Sequence, residues 1–326
     1  MGKKTRSSDA QSASLFPRLL LRWYDRSHRK LPWRGETDPY RIFVSEIMLQ
    51  QTRVAVVERR YAEFLRRFPT IQKLARSREH TVLAAWSGLG YYRRARSLRQ
   101  AAITILRRGD FPRTASELEM LPGVGRYTAA AVASIAFGEP APVVDGNVRR
   151  VLARVTGRDL SDSQSWQLAG ELLDRERPGD FNQAMMELGA TVCLPSGSPK
   201  CSGCPIVTLC SWRGPKHKPA VKAMRKAELK YLVVRKEGKI LLKQRSAHSK
   251  LMPSMWELPK TKRRFKFEPL LKLRHSITNT TYTVLVFSGR SNAAKDARWV
   301  SLREASKLPL TGLTQKILRQ IESGNS

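Results

Sequence analysis

The chain has 326 residues and a formal net charge of +33 at pH 7, because 60 Lys and Arg residues face only 27 Asp and Glu residues. This basic excess is spread along the chain and mixed with aromatic residues, which favours nucleic acid as the partner. No apolar run approaches the roughly 18 residues of a membrane span, and residues 1–13 lack the apolar region of a signal peptide. We therefore expect a monomer with no membrane partner, cytoplasmic and nucleoid-associated in a bacterium or nuclear in a eukaryote.

Residues 1–13 are expected to be a disordered basic tail, and residues 14–213 a helical region. Apolar residues recur there at three- and four-residue spacing, and polar or Pro/Gly joints separate the periodic stretches. The predicted helices span 15–23, 40–49, 54–68, 71–75, 82–86, 95–106, 127–137 and 148–155.

The remainder of the chain predicts a linker and a smaller α/β domain. Residues 214–228 lose apolar periodicity and gain Pro, Gly and Lys, as interdomain linkers do. In the domain at 229–326, "YLVVRKEGKILLKQR" predicts two strands around a turn at Glu237 and Gly238, and "TYTVLVFSG" predicts another strand. A helix at 314–321 is predicted to close it.

A glycine-rich turn precedes the helix predicted at 127–137. Gly123 and Gly125 have no Cβ, so they permit tight turns and let a phosphate approach backbone N–H groups. The following helix start, near Arg126, favours an anion. The turn therefore predicts a helix-hairpin-helix that grips a nucleic-acid backbone, although a glycine-rich turn capping an ordinary helix would read similarly.

All four cysteines of the chain fall in one short segment, at Cys193, Cys201, Cys204 and Cys210. Clustering of this kind in a large basic chain indicates a metal site rather than a disulfide framework. Four thiolates suit either zinc or an iron–sulfur cluster. One CxxC with a single cysteine on each side favours the cluster, and the spacing alone leaves zinc open.

Several separate motifs together resemble the MutY-type adenine DNA glycosylases, which belong to the helix-hairpin-helix glycosylase superfamily with endonuclease III. The resemblance covers residues 15–326 and is weaker after Cys210. The motifs are "LPWR" at 31–34, "SEIMLQQT" at 45–52, "GLGYY" at 88–92, "LPGVGRYTA" at 121–129, "VDGNVRRVLAR" at 144–154, "FNQAMMELGA" at 181–190 and the four cysteines.

The resemblance implies a mainly α catalytic region with an iron–sulfur loop, followed by a smaller Nudix-like α/β domain. The implied cofactor is a 4Fe-4S cluster held by the four cysteines, although seven residues separate Cys193 from Cys201 where six are common in the family. The implied partner is double-stranded DNA that contains adenine opposite 8-oxoguanine or guanine.

Two carboxylates are the candidates for catalysis. Adenine leaves readily only when its N7 is protonated, which needs a carboxylic acid in a sheltered pocket that raises its pKa. Glu46 lies among apolar residues, and the resemblance places the acid there; otherwise it would be a surface glutamate. Asp145 matches the carboxylate that stabilises the cationic sugar. Asp145 is also a favoured helix cap, and both roles are compatible.

Tyr127 separates this chain from the lyases of the superfamily. In endonuclease III-like enzymes the residue after "GVGR" is a lysine whose amine attacks the sugar to form a Schiff base. A tyrosine cannot form that imine. We therefore expect a monofunctional glycosylase that leaves an abasic site, with Tyr127 near the sugar or Asp145; an aromatic packed against its helix is the alternative.

Base excision also requires residues that flip and hold the nucleotide. Gln51 and Tyr91 match family positions that insert into the base stack, with Leu89 beside them. On the resemblance alone, Trp33, Arg34 and Glu187 are candidates for the adenine pocket. Each of these residues could equally be structural.

The C-terminal motif "SMWELPK" at 254–260 resembles the Nudix-like domain that senses 8-oxoguanine in the family. No run of glutamates follows it to bind Mg²⁺, so we expect no pyrophosphohydrolase chemistry. Where the family carries Phe-Ser-His, this chain has Ile277, Thr278 and Asn279. We expect Thr278 to contact the lesion.

The function predicted from the sequence is excision of adenine opposite 8-oxoguanine or guanine in base excision repair. One alternative is a mismatch glycosylase of the same superfamily that acts on thymine or uracil. The other is a DNA-damage binding protein without catalysis, which the presence of Glu46 and Asp145 disfavours.

Overall fold

The computed structural model describes residues 5–196, 198–214, 224–249, 251–277, 279–290 and 296–323, with side chains from residue 15 onward. Contacts between Cα atoms divide the chain into two compact units. The first unit comprises Met1–Ala75 and Gln100–His217, and the second comprises Arg76–Arg99 and Lys218–Ser326. Residues 76–99 thus group with the C-terminal part of the chain. Among the described residues, no helix has the length and apolar character needed to cross a membrane.

The part of the chain before the cysteine segment is helical, as its periodicity predicts. All eight predicted helices are present, with ends that differ by a few residues except at the start of α1. The helices are α1 Thr5–Ser27, α2 Pro39–Leu49, α3 Val54–Arg67, α4 Ile71–Arg76, α5 Glu79–Ala85, α6 Arg93–Arg108, α7 Ala115–Glu119, α8 Arg126–Phe137, α9 Gly146–Thr156, α10 Asp162–Leu172 and α11 Pro178–Thr191.

Three of these helices, α7, α10 and α11, were not predicted. Capping boxes begin two of them, with Thr114 and Glu117 at α7 and Ser161 and Gln164 at α10. Such a box satisfies two backbone N–H groups at a helix start and can be read from sequence. Pro178 occupies the first turn of α11, where its fixed φ suits a helix start.

The expectation of a disordered tail over 1–13 was wrong for residues 5–13, which are the first turns of α1. Apolar periodicity begins only at Leu15 and therefore gave no signal for the earlier turns. Once a helix is nucleated by packing, each added residue gains a backbone hydrogen bond at low cost. The polar segment therefore continues the helix without contributing to the periodic pattern.

The second unit contains two small sheets. Its strands are β1 Arg225–Val233, β2 Arg235–Lys236, β3 Lys239–Gln244, β4 Trp256–Glu257, β5 Leu271–Ile277, β6 Thr280–Ser288 and β7 Ala297–Ser301. One sheet has the order β1-β6-β5, with β1 parallel and β5 antiparallel to β6. In the other, β3 pairs antiparallel with β2, β4 and β7. Two helices follow in this part of the chain, α12 Leu302–Ala305 and α13 Gly312–Ser323, and the unit also contains α5 and the first turns of α6.

The predicted strands and turn of the second unit are confirmed, with one correction. Glu237 and Gly238 adopt φ values of +49° and +70° between β2 and β3, as a tight hairpin turn requires. However, β1 begins at Arg225, within the predicted linker 214–228, and residues 215–223 of that linker lie outside the described residues. The first residues of β1 are exposed and polar. Pairing with β6 makes them a strand, which apolar alternation could not reveal.

Four helices of the first unit, α2, α8, α9 and α11, position the candidate site. Helix α8 packs against α2, and α11 packs against both α8 and α9. One hydrophobic cluster joins α1, α9, α10 and α11 through Leu20, Val151, Ala169, Ala184 and Leu188, all almost fully buried. Burial of these apolar side chains is the main favourable contribution to folding here.

The crossing of α9 and α11 depends on a glycine. A Cβ added to Gly189 would lie 2.6 Å from the Cβ of Asn147. We expect Gly189→Ala to destabilise the fold by about 1–3 kcal/mol, the usual cost of overpacking. Chemical denaturation of both variants measures this, with Gly170→Ala on α10 as the control, where the new Cβ would meet only Pro142 Cγ at 3.8 Å. The control should be neutral or slightly stabilising; equal stabilities of the two variants would contradict the close approach.

Candidate active site and nucleic-acid interface

Glu46 is a buried carboxyl on α2. Asp38 caps this helix by accepting hydrogen bonds from the N–H groups of Tyr40 and Arg41, which fixes the start of a helix that is apolar on most sides. Glu46 is 4% exposed and lies beside the fully buried Val44 and Met48. From α8, the hydroxyl of Tyr127 lies 3.3 Å from Glu46 Oε2. The fold therefore places a single carboxyl in a largely apolar environment with one polar partner identified.

Burial raises the pKa of Glu46 to about 7. The positive charge of Arg34 and the hydrogen bond from Tyr127 act in the opposite direction, and the negative charge of Asp145 raises the pKa further. Water solvates a carboxylate far better than an apolar pocket does, so desolvation favours the protonated form. A large fraction of Glu46 is therefore protonated at neutral pH, as a general acid requires.

The same pKa predicts a pH-dependent stability. Because the folded pKa of Glu46 lies above its usual 4.5, its contribution to stability is fully present below pH 4.5 and is lost as pH rises to 7. Relative to Glu46→Gln, the parent should lose roughly 3 kcal/mol of unfolding free energy between pH 4 and pH 8. Denaturant titrations of both proteins across this range test it. A difference that does not change with pH would contradict the raised pKa.

Asp145 is the N-cap of α9. Its Oδ1 accepts from the backbone N–H groups of Asn147 at 2.8 Å and Val148 at 2.7 Å, and its Oδ2 accepts from Asn147 Nδ2 at 3.0 Å. The capping alternative is thus present in the structure. Its charge nevertheless reaches Glu46, whose pKa it raises. Capping and an electrostatic role are therefore compatible at this residue.

Arg150 joins Asn147 to the cysteine segment. Its Nη2 donates to Asn147 Oδ1 and to the Gly189 carbonyl, both at 2.8 Å, and its Nε donates to the Cys193 carbonyl at 2.8 Å. The sequence analysis missed this residue. Its position three residues after Asn147 on a predicted helix, where the two side chains are neighbours, was the available signal.

Tyr127 contacts two groups through its hydroxyl. Besides Glu46, the hydroxyl lies 3.1 Å from the sulfur of Met186 on α11. Burial raises the pKa of Tyr127 well above its usual value, and the nearby charge of Glu46 adds to this. Tyr127 is therefore a neutral hydrogen-bond donor to Glu46, and its ring also packs against the cluster that contains Ala130 and Ala131 of its own helix.

Glu187 on α11 binds two arginines. It is 1% exposed and accepts from Arg29 Nε at 2.6 Å and from Arg34 Nη2 at 3.1 Å. Arg34 also donates to Gln183 and lies over the ring of Tyr24. Arg34 and Glu187 thus lie together, and the charge of Arg34 acts on Glu46. Arg29 and Gln183 were missed, although Gln183 and Glu187 share the i, i+4 spacing of one helix face.

Trp33 does not share these contacts. Its ring is buried and packs edge-on against Tyr61, with ring centroids 5.6 Å apart. The described contact of Trp33 is a packing contact, and its place in the adenine pocket stays a prediction.

The hairpin between α7 and α8 exposes backbone at a helix start. Gly123 has a φ of +75°, Gly125 is the N-cap of α8 with no side-chain cap bond, and the first turn of α8 has no acidic residue. A Cβ at Gly125 would meet nothing within 4 Å, so an incoming group has room. Arg126 is exposed, and its guanidinium lies 3.9 Å above the centre of the Trp166 ring. Uncapped N–H groups beside a cation form a suitable phosphate site.

Gln51 and Tyr91 both adopt unusual backbone conformations, with φ values of +53° and +44°. Non-glycine residues are uncommon in this region, and functional sites are enriched in them. Both side chains are exposed, Tyr91 to 51%. Leu89 differs, because it is only 4% exposed. In this conformation Leu89 packs in the interior, and its contact with DNA stays a prediction.

The four cysteines line one pocket and form no disulfide. Among the described residues, no three His, Cys, Asp or Glu side chains converge tightly enough to hold a single metal ion. Arg154 Nη1 lies 3.2 Å from Cys193 Sγ and above the ring of Trp212. Burial raises the pKa of Cys204 to about 11. The remaining lining is mainly apolar and includes Val151, Val155, Leu188, Val192 and Ile206.

Comparison with known proteins shows which family this chain belongs to. The HhH-GPD superfamily base excision DNA repair protein family matches residues 44–171. An adenine DNA glycosylase of Buchnera aphidicola subsp. Schizaphis graminum is 30% identical over 342 aligned positions, which cover 93% of this chain and 98% of the relative. The chain belongs to the adenine DNA glycosylase family.

Two further proteins match part of this adenine DNA glycosylase family member. The human adenine DNA glycosylase is 49% identical over 222 residues, which cover 63% of this chain and 40% of the human protein. The structure of a thermostable thymine-DNA glycosylase superposes with a TM-score of 0.59 at 30% identity, covering 63% of this chain and 98% of that one. The chain spans about two fifths of the length of its mammalian relatives.

The residues matched by the HhH-GPD family include only some of the candidate site residues. The HhH-GPD match includes Glu46, Tyr127 and Asp145 and ends before Glu187 and the cysteines.

The predicted lesion loop lies in the second unit, where Ile277 ends β5 and pairs with Thr280. Asn279 is exposed, and its carbonyl accepts from the Arg225 N–H at 3.0 Å. Thr278 lies outside the described residues.

Proposed function

We propose that this protein is a monofunctional DNA glycosylase that removes adenine opposite 8-oxoguanine or guanine from double-stranded DNA. The observation that carries the proposal is the buried Glu46, whose pKa burial raises to about 7 and which lies next to Tyr127 and within the electrostatic reach of Asp145. Family membership supports adenine as the base.

The proposed reaction uses Glu46 twice. Protonated Glu46 gives its proton to adenine N7, and the C1′–N9 bond breaks with its electron pair leaving on adenine. The negative charge of Asp145 stabilises the cationic sugar that remains. Water then adds to C1′ and returns a proton to the Glu46 carboxylate. Tyr127 orients Glu46 through its hydroxyl, and the pair of Arg34 and Glu187 forms part of the wall around the base.

In this proposal, one set of residues binds the DNA backbone and another distorts the base stack. Gly123, Gly125 and Arg126 bind a backbone phosphate without reading sequence. Gln51 and Tyr91 insert into the base stack at the vacated position, which offsets part of the cost of unstacking. Their exposure and positive φ values support this assignment.

A substrate panel tests the proposed function. Under single-turnover conditions, duplexes with adenine opposite 8-oxoguanine, guanine, cytosine and thymine should be processed fastest for the first two, and thymine or uracil opposite guanine should not be processed. The fold likeness to a thymine-DNA glycosylase makes the thymine substrate the critical comparison. Faster removal of thymine would favour that activity, and tight binding without excision would favour a non-catalytic damage binder.

Borohydride trapping tests the monofunctional part. Because tyrosine stands at position 127 where a lysine would form the imine, the parent should form little covalent complex with substrate DNA. Efficient trapping would overturn the proposed mechanism.

We also propose that the four cysteines hold a 4Fe-4S cluster. The site fits: four thiols border one pocket, and Arg154 Nη1 lies 3.2 Å from Cys193 Sγ, which places a cation beside one of the proposed sulfur ligands. Cys193, Cys201, Cys204 and Cys210 would hold the cluster through their thiolates, and the bound cluster would tie the two ends of this segment together. Anaerobically purified protein should contain iron and sulfide, and stoichiometric zinc without iron would overturn the assignment.

For the second unit we propose a Nudix-like domain that senses 8-oxoguanine. Glu257 of its motif is buried, and its Oε1 accepts from Arg245 Nη1 at 2.8 Å and Lys260 Nζ at 2.9 Å. Protein cations thus already neutralise this carboxylate, which supports recognition rather than Mg²⁺ chemistry. Thr278→Ala and Asn279→Ala should slow excision opposite 8-oxoguanine more than opposite guanine; equal slowing would remove the sensing role.

A further inference from the structure

The turn that carries Tyr91 is held in an unfavourable backbone conformation. Tyr91 has a φ of +44° and directly follows Gly90, which has a φ of +70°; Gly88, two residues earlier, has a φ of +92°. A side chain in this region is strained, so the surrounding structure must stabilise it. Within the turn, Trp86 Nε1 donates to the Gly90 carbonyl at 3.1 Å, and the Arg94 guanidinium lies 5.5 Å from the centres of both the Trp86 and Tyr91 rings.

The residues that flank this turn are hydrogen-bonded to the C-terminal part of the same unit. Tyr92 donates its hydroxyl to the Leu310 carbonyl at 3.1 Å, and Ser87 Oγ lies 3.4 Å from that same oxygen. Gln315 Nε2 in turn donates to Ser87 Oγ at 2.5 Å. The side chains of Ser87, Tyr92 and Leu310 are almost fully buried. Buried hydrogen bonds of this kind are costly to leave unmade.

The accepting carbonyl is itself fixed in position. The segment around Leu310 pairs with Trp256 of β4: the Trp256 N–H donates to the Pro309 carbonyl, and the Thr311 N–H donates to the Trp256 carbonyl, both at 2.9 Å. A second tie lies nearby, since Arg96 Nη2 donates to the Pro253 carbonyl at 2.7 Å. The C-terminal part of the second unit therefore holds both sides of the turn that presents Tyr91.

We propose that the Leu310 carbonyl and Gln315 are positioning elements for Tyr91, acting through Tyr92 and Ser87. They hold the turn in the conformation that aims the Tyr91 ring at the DNA stack, so the C-terminal region contributes to base flipping as well as to lesion recognition. This inference rests on the proposed function, in which Tyr91 inserts into DNA.

A double-mutant cycle tests the coupling. Tyr92→Phe removes one hydroxyl donor without changing shape, and Gln315→Met removes the other donor. Each should slow single-turnover excision opposite 8-oxoguanine by about fivefold, the rate factor of one net hydrogen bond. In a Tyr91→Ala background the same substitutions should have no further effect. The control is Tyr231→Phe, another buried tyrosine of the unit that donates to Glu257 at 3.5 Å, and it should leave excision unchanged.

A binding readout separates positioning from general destabilisation. In a Glu46→Gln background, 2-aminopurine placed next to the target adenine should brighten on binding as the stack opens, and Tyr92→Phe should reduce that signal while leaving affinity nearly unchanged. Equal losses in the Tyr91 and Tyr91→Ala backgrounds, with an active parent, would overturn this inference alone. A parent that excises no adenine would overturn the proposed function as well. If Tyr92→Phe fails to fold, the double-mutant cycle is measured with Gln315→Met and Tyr91→Ala alone.

Discussion

Substituting Gln for Glu46 is expected to slow single-turnover adenine excision by roughly 10²- to 10⁴-fold, the range attributed to a general acid. Glutamine keeps the size of the side chain and has no proton to give to N7. Affinity for DNA should be unchanged, because phosphate contacts supply most of it. The measurement is excision with enzyme in excess, together with binding to a duplex that carries a non-cleavable adenine analogue.

The matched control is Glu63→Gln on α3, an exposed glutamate paired with Arg60, which should excise at the parental rate. In the parent, the excision rate should fall as pH rises above about 7, where Glu46 loses its proton. Near-parental excision by Glu46→Gln would mean that another group protonates the base.

Asp145→Asn is expected to have the second largest effect, a loss of about 10²- to 10³-fold in excision rate, comparable to the removal of one electrostatic stabiliser of a transition state. Asparagine caps a helix as well as aspartate does. The substitution therefore removes the charge and keeps the bonds to the Asn147 and Val148 N–H groups. Excision rate and unfolding free energy should be measured on the same preparation.

Asp145→Ala separates the two roles of this residue. It removes both charge and cap, so it should lose about 1 kcal/mol of stability in addition to the catalytic defect. If Asp145→Asn excises normally and only Asp145→Ala is impaired, the residue would act as a cap and the electrostatic role would be wrong.

The helices that could be predicted are those with a solvent-facing side. α3 and α9 bury one stripe and expose charges on the other, so their apolar residues recur at helical spacing. α11 is buried over most of its length and carries polar residues such as Asn182 and Glu187 where a stripe would be apolar. Its apolar periodicity is lost because interior partners hold these polar side chains: Ser134 and the Ala141 carbonyl bind Asn182, and two arginines bind Glu187.

Sequence motifs predicted which residues belong to the candidate site, but they did not predict which of these residues are in contact. Motifs identified Glu46, Tyr127 and Asp145, but the 3.3 Å approach of Tyr127 to Glu46 joins residues 81 positions apart. Arg29 and Met186 were identified only through their side-chain contacts in the structure. The position of Leu89 in the interior likewise depends on tertiary packing, which a motif does not encode.

The glycines of α11 also limit how this protein can be engineered. Replacing helical glycines by alanine is a common route to greater thermal stability. Alanine does not fit at Gly179, because an added Cβ would lie 2.7 Å from the Ser134 carbonyl oxygen. It does not fit at Gly189 either, because the added Cβ would lie 2.6 Å from the Cβ of Asn147. Substitutions intended to raise thermal stability should therefore avoid the glycines of α11. They are better placed on helices such as α10, where a Cβ added to Gly170 would meet only Pro142 Cγ at 3.8 Å.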